Sequence, residues 1–474
     1  MSATAAGRVT RCLLFFVLIL VSGGAQAARR PNIVVMMTDD QRWDALGVVQ
    51  REQGSRGRFP WLRTATPNLD RIAAEGYRFR NAFVVSSLCS PSRAAFLTGR
   101  YNHLNGVANN QTPFPVTNST YATLLRDSGY RTGYFGKWHM ARQRERPGFD
   151  EHASYIGQGI YTDANFQVNG ALTRTTGWVD DVATTYAAGF IRRHVAEPFV
   201  MVLGFKSPHH PSTPPPRLAG HFDWATLAPT ANAESYAPYD PSPVPADLPV
   251  DYVRDYFRSI VGVDQNVGRV LDVLDETGIA DDTVVVFASD NGFFLGEHGI
   301  GTPVDPDGNK RNAYEESMRI PLLVRYPRLP GRGVAIGDRA LNIDLAPTLL
   351  ELAGTAIPAS LQGKSWVPQL NGSTVDLRGR FLYEYFFETG YEVPTLVALR
   401  RWDHKLIRYP GHPGWQELFH VGKDPGEQRN LAGDPASQTI LRTMNDALDA
   451  EMRAMKYVVP PYAHEPNAEH ATPP

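Results

Sequence analysis

Two pairs of polar residues, Asp39-Asp40 and Asp290-Asn291, each stand just after a short apolar run, residues 32–37 and 283–288. Their side chains offer three carboxylates and an amide, all oxygen donors, which suits a hard divalent cation such as Ca²⁺ or Mg²⁺. Taken singly, each pair fits a turn or a helix cap as well. Taken together at one place, unpaired carboxylates repel unless a cation holds them. Residues 305–309 have only a superficial likeness to a calcium loop: Gly308 comes too early and no Glu closes the loop, so an EF-hand is excluded. A second group of residues suits an anion. In Cys89-Ser90-Pro91-Ser92-Arg93, Pro91 fits a first helical turn and puts Cys89 at a helix N-terminus, where N–H groups and the helix dipole attract negative charge. Arg93 and Arg100 add positive charge, and so do Lys137 and His139 at the end of the run 129–139. His209 or His210 follows the apolar run 198–205, and Lys310 lies in a loop.

Positioning these groups takes strands that end at one place. The runs 32–37, 198–205 and 283–288 lack polar alternation, as strands buried on both faces do. Helical patterns lie between them at 69–75, 122–127, 180–193 and 252–276. Strands alternating with helices predict a parallel α/β sheet covered on both faces, with ligands at the carboxyl ends of its strands. The Pro-rich stretches 209–216 and 238–249 read as ordered surface loops. After a helix at 344–353 the pattern changes to β-type segments at 380–387, 395–401 and 404–409, then a helix at 438–455. That order predicts a smaller α+β domain with an antiparallel sheet. The expected organisation is a leader over residues 1–27, a catalytic domain over 28–371, and a smaller domain with a mobile tail over 372–474.

Composition bounds the function. With 474 residues, 42% hydrophobic and 20% charged, the chain is neither a disulfide scaffold nor a disordered tail. Its 47 Lys plus Arg against 49 Asp plus Glu disfavour a non-specific nucleic-acid binder. The first 38 residues hold no acid, carry Arg8 and Arg11, run apolar over 12–21 and reach Ala25, Gln26 and Ala27. This is the pattern of a secretory signal cut after Ala27, too short for a membrane span, and it predicts a secreted or periplasmic protein. Arg29 and Arg30 follow the apolar run, where a twin-arginine signal would precede it. Cys12 leaves with such a leader, so Cys89 has no disulfide partner; an inert buried thiol is the plain explanation for it. Asn118 and Asn371 carry glycosylation sequons, for which a bacterial-type leader predicts no use.

Cys-Ser-Pro-Ser-Arg followed by Leu-Thr-Gly-Arg, together with Gly-Tyr-x-Thr-x-x-x-Gly-Lys-x-His, resembles the two signatures of the type I sulfatases in the alkaline phosphatase superfamily. PNIVVMMTDDQRWDALG, ASDNGFFLGEHG, KRNAYEESMRIPLLVRYP and ELFHVGKDPGEQRNLA extend the resemblance over most of residues 31–432. It implies a large mixed, mostly parallel sheet between helices. It also implies that Cys89 is converted to Cα-formylglycine by a separate maturation enzyme. Asp39, Asp40, Asp290 and Asn291, with the modified Cys89, resemble the metal ligands, for Ca²⁺ in preference to Mg²⁺. Arg93 would steady the modified residue, and Lys137, His139 and Lys310 would contact the aldehyde hydrate or sulfate. His209 resembles the histidine near the leaving group, although this chain doubles it with His210.

The mechanism implied is attack on sulfur by one geminal hydroxyl at residue 89, with the alcohol leaving on a proton from His209 or Lys310. The other hydroxyl, deprotonated by His139, then expels sulfate. The stretch 381–411 resembles glycan sulfatases of the N-acetylglucosamine-6-sulfatase and iduronate-2-sulfatase groups, which implies a sulfated carbohydrate substrate. The alternatives are a phosphonate or phosphate monoester hydrolase of the same superfamily, or a silent glycan-binding homologue with unmodified Cys89.

Overall fold

The computed structural model describes residues 30–228, 230, 232–233, 237–239, 248–301, 308–412, 414–461 and 464. The leader at 1–27 lies outside them, as do most of the Pro-rich loop at 238–249, residues 302–307 and the tail beyond 464. In chain order the strands are β1 (Asn32–Asp39), β2 (Tyr77–Phe83), β3 (Arg131–Lys137), β4 (Glu151–Tyr155), β5 (Asn165–Val168), β6 (Ala171–Arg174) and β7 (Phe199–Pro208). They continue with β8 (Thr283–Ser289), β9 (Leu322–Arg325), β10 (Val334–Leu341), β11 (Arg380–Tyr385), β12 (Leu396–Arg401), β13 (His404–Arg408) and β14 (Gln416–Phe419).

Ten strands form one sheet in the order β10-β2-β9-β8-β1-β7-β3-β4-β5-β6. Its centre, β8-β1-β7-β3-β4, is parallel throughout, while β9 runs antiparallel to both its neighbours and β5 and β6 form an antiparallel edge. Strand β1 is buried at all eight positions. Its residues alternate between two cores: Ile33, Val35 and Met37 pack with Val200, Val284, Phe96 and Leu349, while Val34 and Met36 pack with Met201, Val285, Ile191 and Leu271. Burial on both faces explains the unbroken apolar run, each such side chain contributing about 1.5–3 kcal/mol. The expected helices are present as Pro67–Glu75, Tyr121–Asp127, Val179–Arg193, Val250–Glu276 and Leu345–Leu352.

Strands β3 and β7 approach closely where Gly136 meets Gly204. Gly136 has φ +86°, and a Cβ there would fall 2.0 Å from the Gly204 carbonyl oxygen. Since Gly136 precedes Lys137, Gly136→Ala should destabilise the fold by at least about 2 kcal/mol and displace that lysine. Urea unfolding checks this; a wild-type midpoint would contradict it.

The second sheet, β11-β12-β13-β14, is antiparallel and is covered by helix Gln438–Met455 through Met444, Leu448 and Met452. It shares its core with the large sheet: Phe83 meets Phe381 at 5.1 Å between ring centroids, and Glu384 N donates to Val85 O at 2.9 Å. The last strand of the large sheet ends at Leu341 and the second sheet starts at Arg380, on either side of the expected division near residue 372.

His103 joins the two parts. Its Nδ1 lies 2.6 Å from Glu384 Oε2 and its Nε2 3.0 Å from Met455 O, with both charged side chains fully buried. Burial disfavours the imidazolium, but Glu384 outweighs it and raises the His103 pKa. A raised folded value gives stability that is fully present below the unfolded pKa of about 6.5 and is lost as pH rises through the folded one. His103→Gln should therefore cost about 3 kcal/mol at pH 6 and clearly less at pH 9. Equal losses in guanidinium unfolding at the two pH values would contradict this.

Candidate active site

Four neighbouring strands, β8, β1, β7 and β3, point their carboxyl ends at one place. Strand β1 ends in Asp39 and passes to Asp40, β8 passes to Asp290 and Asn291, β3 ends in Lys137 two residues before His139, and β7 ends just before His209. Helix Cys89–Thr98 directs its N-terminus into the same place, and Lys310 reaches it from the segment between β8 and β9. Asp40 (φ 68°) and His139 (φ 51°) are both left-handed, a backbone state that costs energy in residues other than glycine and collects at functional sites. Ser90 Oγ holds the His139 turn by donating to its carbonyl at 2.5 Å.

Cys89 is fully buried, with Sγ 3.3 Å from Asp39 Oδ1 and 3.2 Å from Lys310 Nζ. Carboxylate oxygens of Asp39, Asp40 and Asp290 lie within 4.8 Å of one another, as do ligand atoms of Asp39, Cys89 and His209. Positive side chains are interleaved among them. Lys310 Nζ contacts both Asp40 oxygens at 2.5 and 2.8 Å, Lys137 Nζ pairs with Asp39, and Arg93 Nε donates to Asp290 Oδ2 at 2.8 Å. Arg93 Nη1 also donates to Lys137 O at 2.7 Å. Asn291 Nδ2 donates to Asp40 Oδ1 and to Gly292 O, both at 2.7 Å, leaving its Oδ1 buried without a hydrogen-bond partner. An orphaned carbonyl oxygen beside three carboxylates is the donor set a hard divalent cation takes, so these residues fit such an ion. Another cluster, His298, Glu316 and Glu427, already holds a cation: Lys405 Nζ lies 2.6 Å from Glu427.

The electrostatics follow from burial. Desolvation pushes the Cys89 thiol up to about 12, against the pull of Lys310, so at neutral pH it is protonated and a poor nucleophile as cysteine. Burial works against the Lys310 ammonium, but Asp40 and Cys89 carry its pKa above the ordinary lysine value. Burial raises Asp40, with Lys310 opposing and Asp290 reinforcing the shift. Burial, then the neighbouring cations, chiefly Lys137, hold His139 and His209 well below the ordinary imidazole range, so both rings are neutral. His139 Nδ1 and Arg93 Nη2 are buried without a protein partner.

The structure thus gathers Asp39, Asp40, Cys89, Arg93, Lys137, His139, His209, Asp290, Asn291 and Lys310 at the carboxyl ends of these strands, whereas Arg100 lies past the far end of the Cys89 helix. It also separates the doubled histidines. His209 Nε2 lies 3.9 Å from Asp40 Oδ2, whereas the His210 ring turns to Tyr252 at 5.7 Å between centroids. Sequence reasoning missed Gln158, whose Oε1 accepts from Lys137 Nζ at 2.5 Å, and Lys206, whose Nζ donates to Gln158 O at 3.1 Å. Gln158 carries no local signal. Lys206 had one, its place at the end of an apolar strand three residues before His209.

The profile of the family described as "Sulfatase" matches residues 31–355, and that of "N-sulphoglucosamine sulphohydrolase, C-terminal" matches residues 297–454. The N-acetylglucosamine-6-O-sulfatase of Bacteroides thetaiotaomicron is 31% identical over 480 residues, covering 85% of this chain and 83% of that protein. A solved protein in complex with its substrate D-glucosamine-2-N,6-O-disulfate superposes with a TM-score of 0.79 at 29% identity, covering 90% of this chain and 98% of that one. The phosphonate monoester hydrolase of Agrobacterium radiobacter shares the fold, with a TM-score of 0.72 at 21% identity and coverage of 90% and 97%.

Proposed function

The chain belongs to the sulfatase family and is a sulfuric ester hydrolase, and on that premise we propose that it hydrolyses sulfate monoesters of a carbohydrate, with Cys89 matured to Cα-formylglycine beside Ca²⁺. The observation that carries this reading is the setting of Cys89: a buried thiol, protonated at neutral pH, is useless as a cysteine nucleophile yet sits against Lys310 and the carboxylates. Conversion to an aldehyde by a maturation enzyme gives that position a purpose, because its hydrate supplies two geminal hydroxyls, one to attack sulfur and one to release the sulfate. Asp39, Asp40, Asp290 and Asn291, with residue 89 alongside, would hold the cation, which when bound supplies Lewis-acid polarisation of a sulfate oxygen.

The chain's own residues supply the remaining chemistry. Lys310 sets positive charge against residue 89, and Lys137, held as an ammonium by its ion pair with Asp39 although burial pulls its pKa well below the ordinary lysine value, adds to it; together they draw in the sulfate and offset the negative charge of the transition state. Arg93 binds Asp290 and the Lys137 carbonyl, and so ties β8 to β3 and fixes both groups. His139 is neutral, its Nδ1 free to accept a proton from a hydroxyl at residue 89. The leaving alcohol takes its proton from Lys310, whose ammonium lies against Asp40, or from His209 once that ring has gained a second proton, since the one proton of the neutral ring sits on Nδ1 against the His210 carbonyl. Carbohydrate as substrate is supported by the N-acetylglucosamine-6-O-sulfatase relative and by the neighbour bound to a glucosamine disulfate. A phosphonate or phosphate monoesterase is not favoured, because that likeness is one of fold alone. A silent glycan binder would have no need of the cation and anion groups around Cys89. Export to the periplasm or the exterior is supported by residues 1–27, and no helix among the described residues is long and apolar enough to cross a membrane.

A panel of sulfated mono- and disaccharides tests the reading. Release of sulfate, with phosphate monoesters far slower, is expected. Turnover of phosphonate or phosphate esters alone would overturn it.

A further inference from the structure

Lys206 is 3% exposed, and no carboxylate among the described residues comes within ion-pair distance of its ammonium. Asp180, the acid whose charge acts on it most, makes its hydrogen bonds elsewhere: its oxygens accept from the backbone amides of Lys206 at 2.7 Å and Ser207 at 3.1 Å. The Lys206 side chain is instead held by two neutral groups, the Gln158 carbonyl at 3.1 Å and the face of Tyr161 at 4.8 Å from Nζ to the ring centroid. Tyr161 is fixed in turn by donating to His209 O at 2.5 Å. A buried ammonium with no carboxylate in direct contact is expensive, and an anion that reaches it would complete it. Burial outweighs the opposing pull of Asp180, Cys89 and Asp40 and leaves Lys206 at about 8, so at neutral pH it still carries most of its charge.

Its place tells which anion. Lys137 binds the side-chain oxygen of Gln158 and Lys206 binds the main-chain oxygen of the same residue, so the two ammonium groups are one glutamine apart. Lys137 and Lys310 contact Asp39, Asp40 or Cys89 and so belong to the group hydrolysed at residue 89. Lys206 contacts none of these. A sulfate monoester has a single negative charge, which the groups at residue 89 already meet.

We propose that Lys206 is a specificity-determining residue that binds a second anionic group of the substrate, a sulfate or a carboxylate close to the sulfate that is hydrolysed. This rests on the carbohydrate reading and narrows it to sugars that carry two negative charges near one another.

Three probes test it: N-acetylglucosamine-6-sulfate with one charge, glucosamine-2-N,6-O-disulfate with a second sulfate, and a disaccharide that places a uronate carboxylate beside the 6-sulfate. Wild type is expected to prefer one of the doubly charged probes by at least about tenfold in kcat/KM, expressed in KM. Which of the two is preferred identifies the second anion. Lys206→Met should lose at least about tenfold more on that probe than on the singly charged one, and Lys206→Arg should restore part of the difference. Equal losses on all three probes, or no preference in wild type, would overturn the Lys206 assignment alone. No sulfate released from any of the three, with 4-nitrophenyl sulfate still hydrolysed, would overturn the carbohydrate reading and this assignment together.

Discussion

Cys89→Ser protein is expected to fold, accept sulfate from substrate once and then stop. Serine places one hydroxyl where the hydrated aldehyde has two. With Lys310 and Asp39 still beside it, that hydroxyl can attack sulfur and become a sulfate ester. No second geminal hydroxyl is then present to expel the sulfate, so the ester persists. Multiple turnover should fall by at least about a thousandfold, and intact mass should show sulfate retained on the protein. The substitution changes little else, because residue 89 is fully buried at a helix start and oxygen for sulfur adds no volume. Unmodified Cys89 protein, made without a maturation enzyme, should be equally silent for a different reason: its thiol, pushed up to about 12, is protonated at the pH of the assay. Turnover by Cys89→Ser at the wild-type rate would exclude the formylglycine mechanism.

The second large effect is expected at the carboxylates. Asp39→Asn, Asp40→Asn and Asp290→Asn should each lower kcat by about 10²–10³ or more, and chelation of the wild type should do the same until Ca²⁺ is restored. Amide replacements are preferable to alanine because of what the structure places around each acid. Arg93 Nε and the Asp40 amide both donate to Asp290, and Lys137 pairs with Asp39; an amide keeps an oxygen for these donors, whereas truncation leaves a buried positive charge with no acceptor at all. That costs about 3–5 kcal/mol. Mutual repulsion among the acids, which the sequence suggests, is offset by Lys137, Lys310 and Arg93, so truncation should destabilise where repulsion alone would predict relief. Full turnover after chelation and in all three variants would show that these residues hold no catalytic cation.

The central strands and the site were legible for one physical reason. Strands β1, β7 and β8 are buried on both faces, so their apolar runs are unbroken and stop sharply at the polar residues of the candidate site. The helix at Cys89 was legible through Pro91 and its basic neighbours. Strand β2 was not: Arg78 and Arg80 interrupt it, because both reach Glu52 outside the sheet. Strand β9 is only four residues long and antiparallel to its neighbours, and β5 and β6 form a short edge hairpin, so none of them offers a run long enough to read. Strand β14 (QELF) overlaps the start of ELFHVGKDPGEQRNLA, a segment noticed for its resemblance and not for its β character. Gln158 and Lys206 were invisible as a pair because nothing in the spacing from 158 to 206 announces that a loop carbonyl and a strand end will meet.

The most direct measurement is mass spectrometry of the peptide containing residue 89 from active, exported protein, combined with its turnover number. The account predicts an aldehyde in place of the thiol, a change in mass equal to the loss of H₂S and the gain of one oxygen. The modified fraction should rise in proportion to kcat across preparations. A fully active preparation whose residue 89 is an intact cysteine would contradict it.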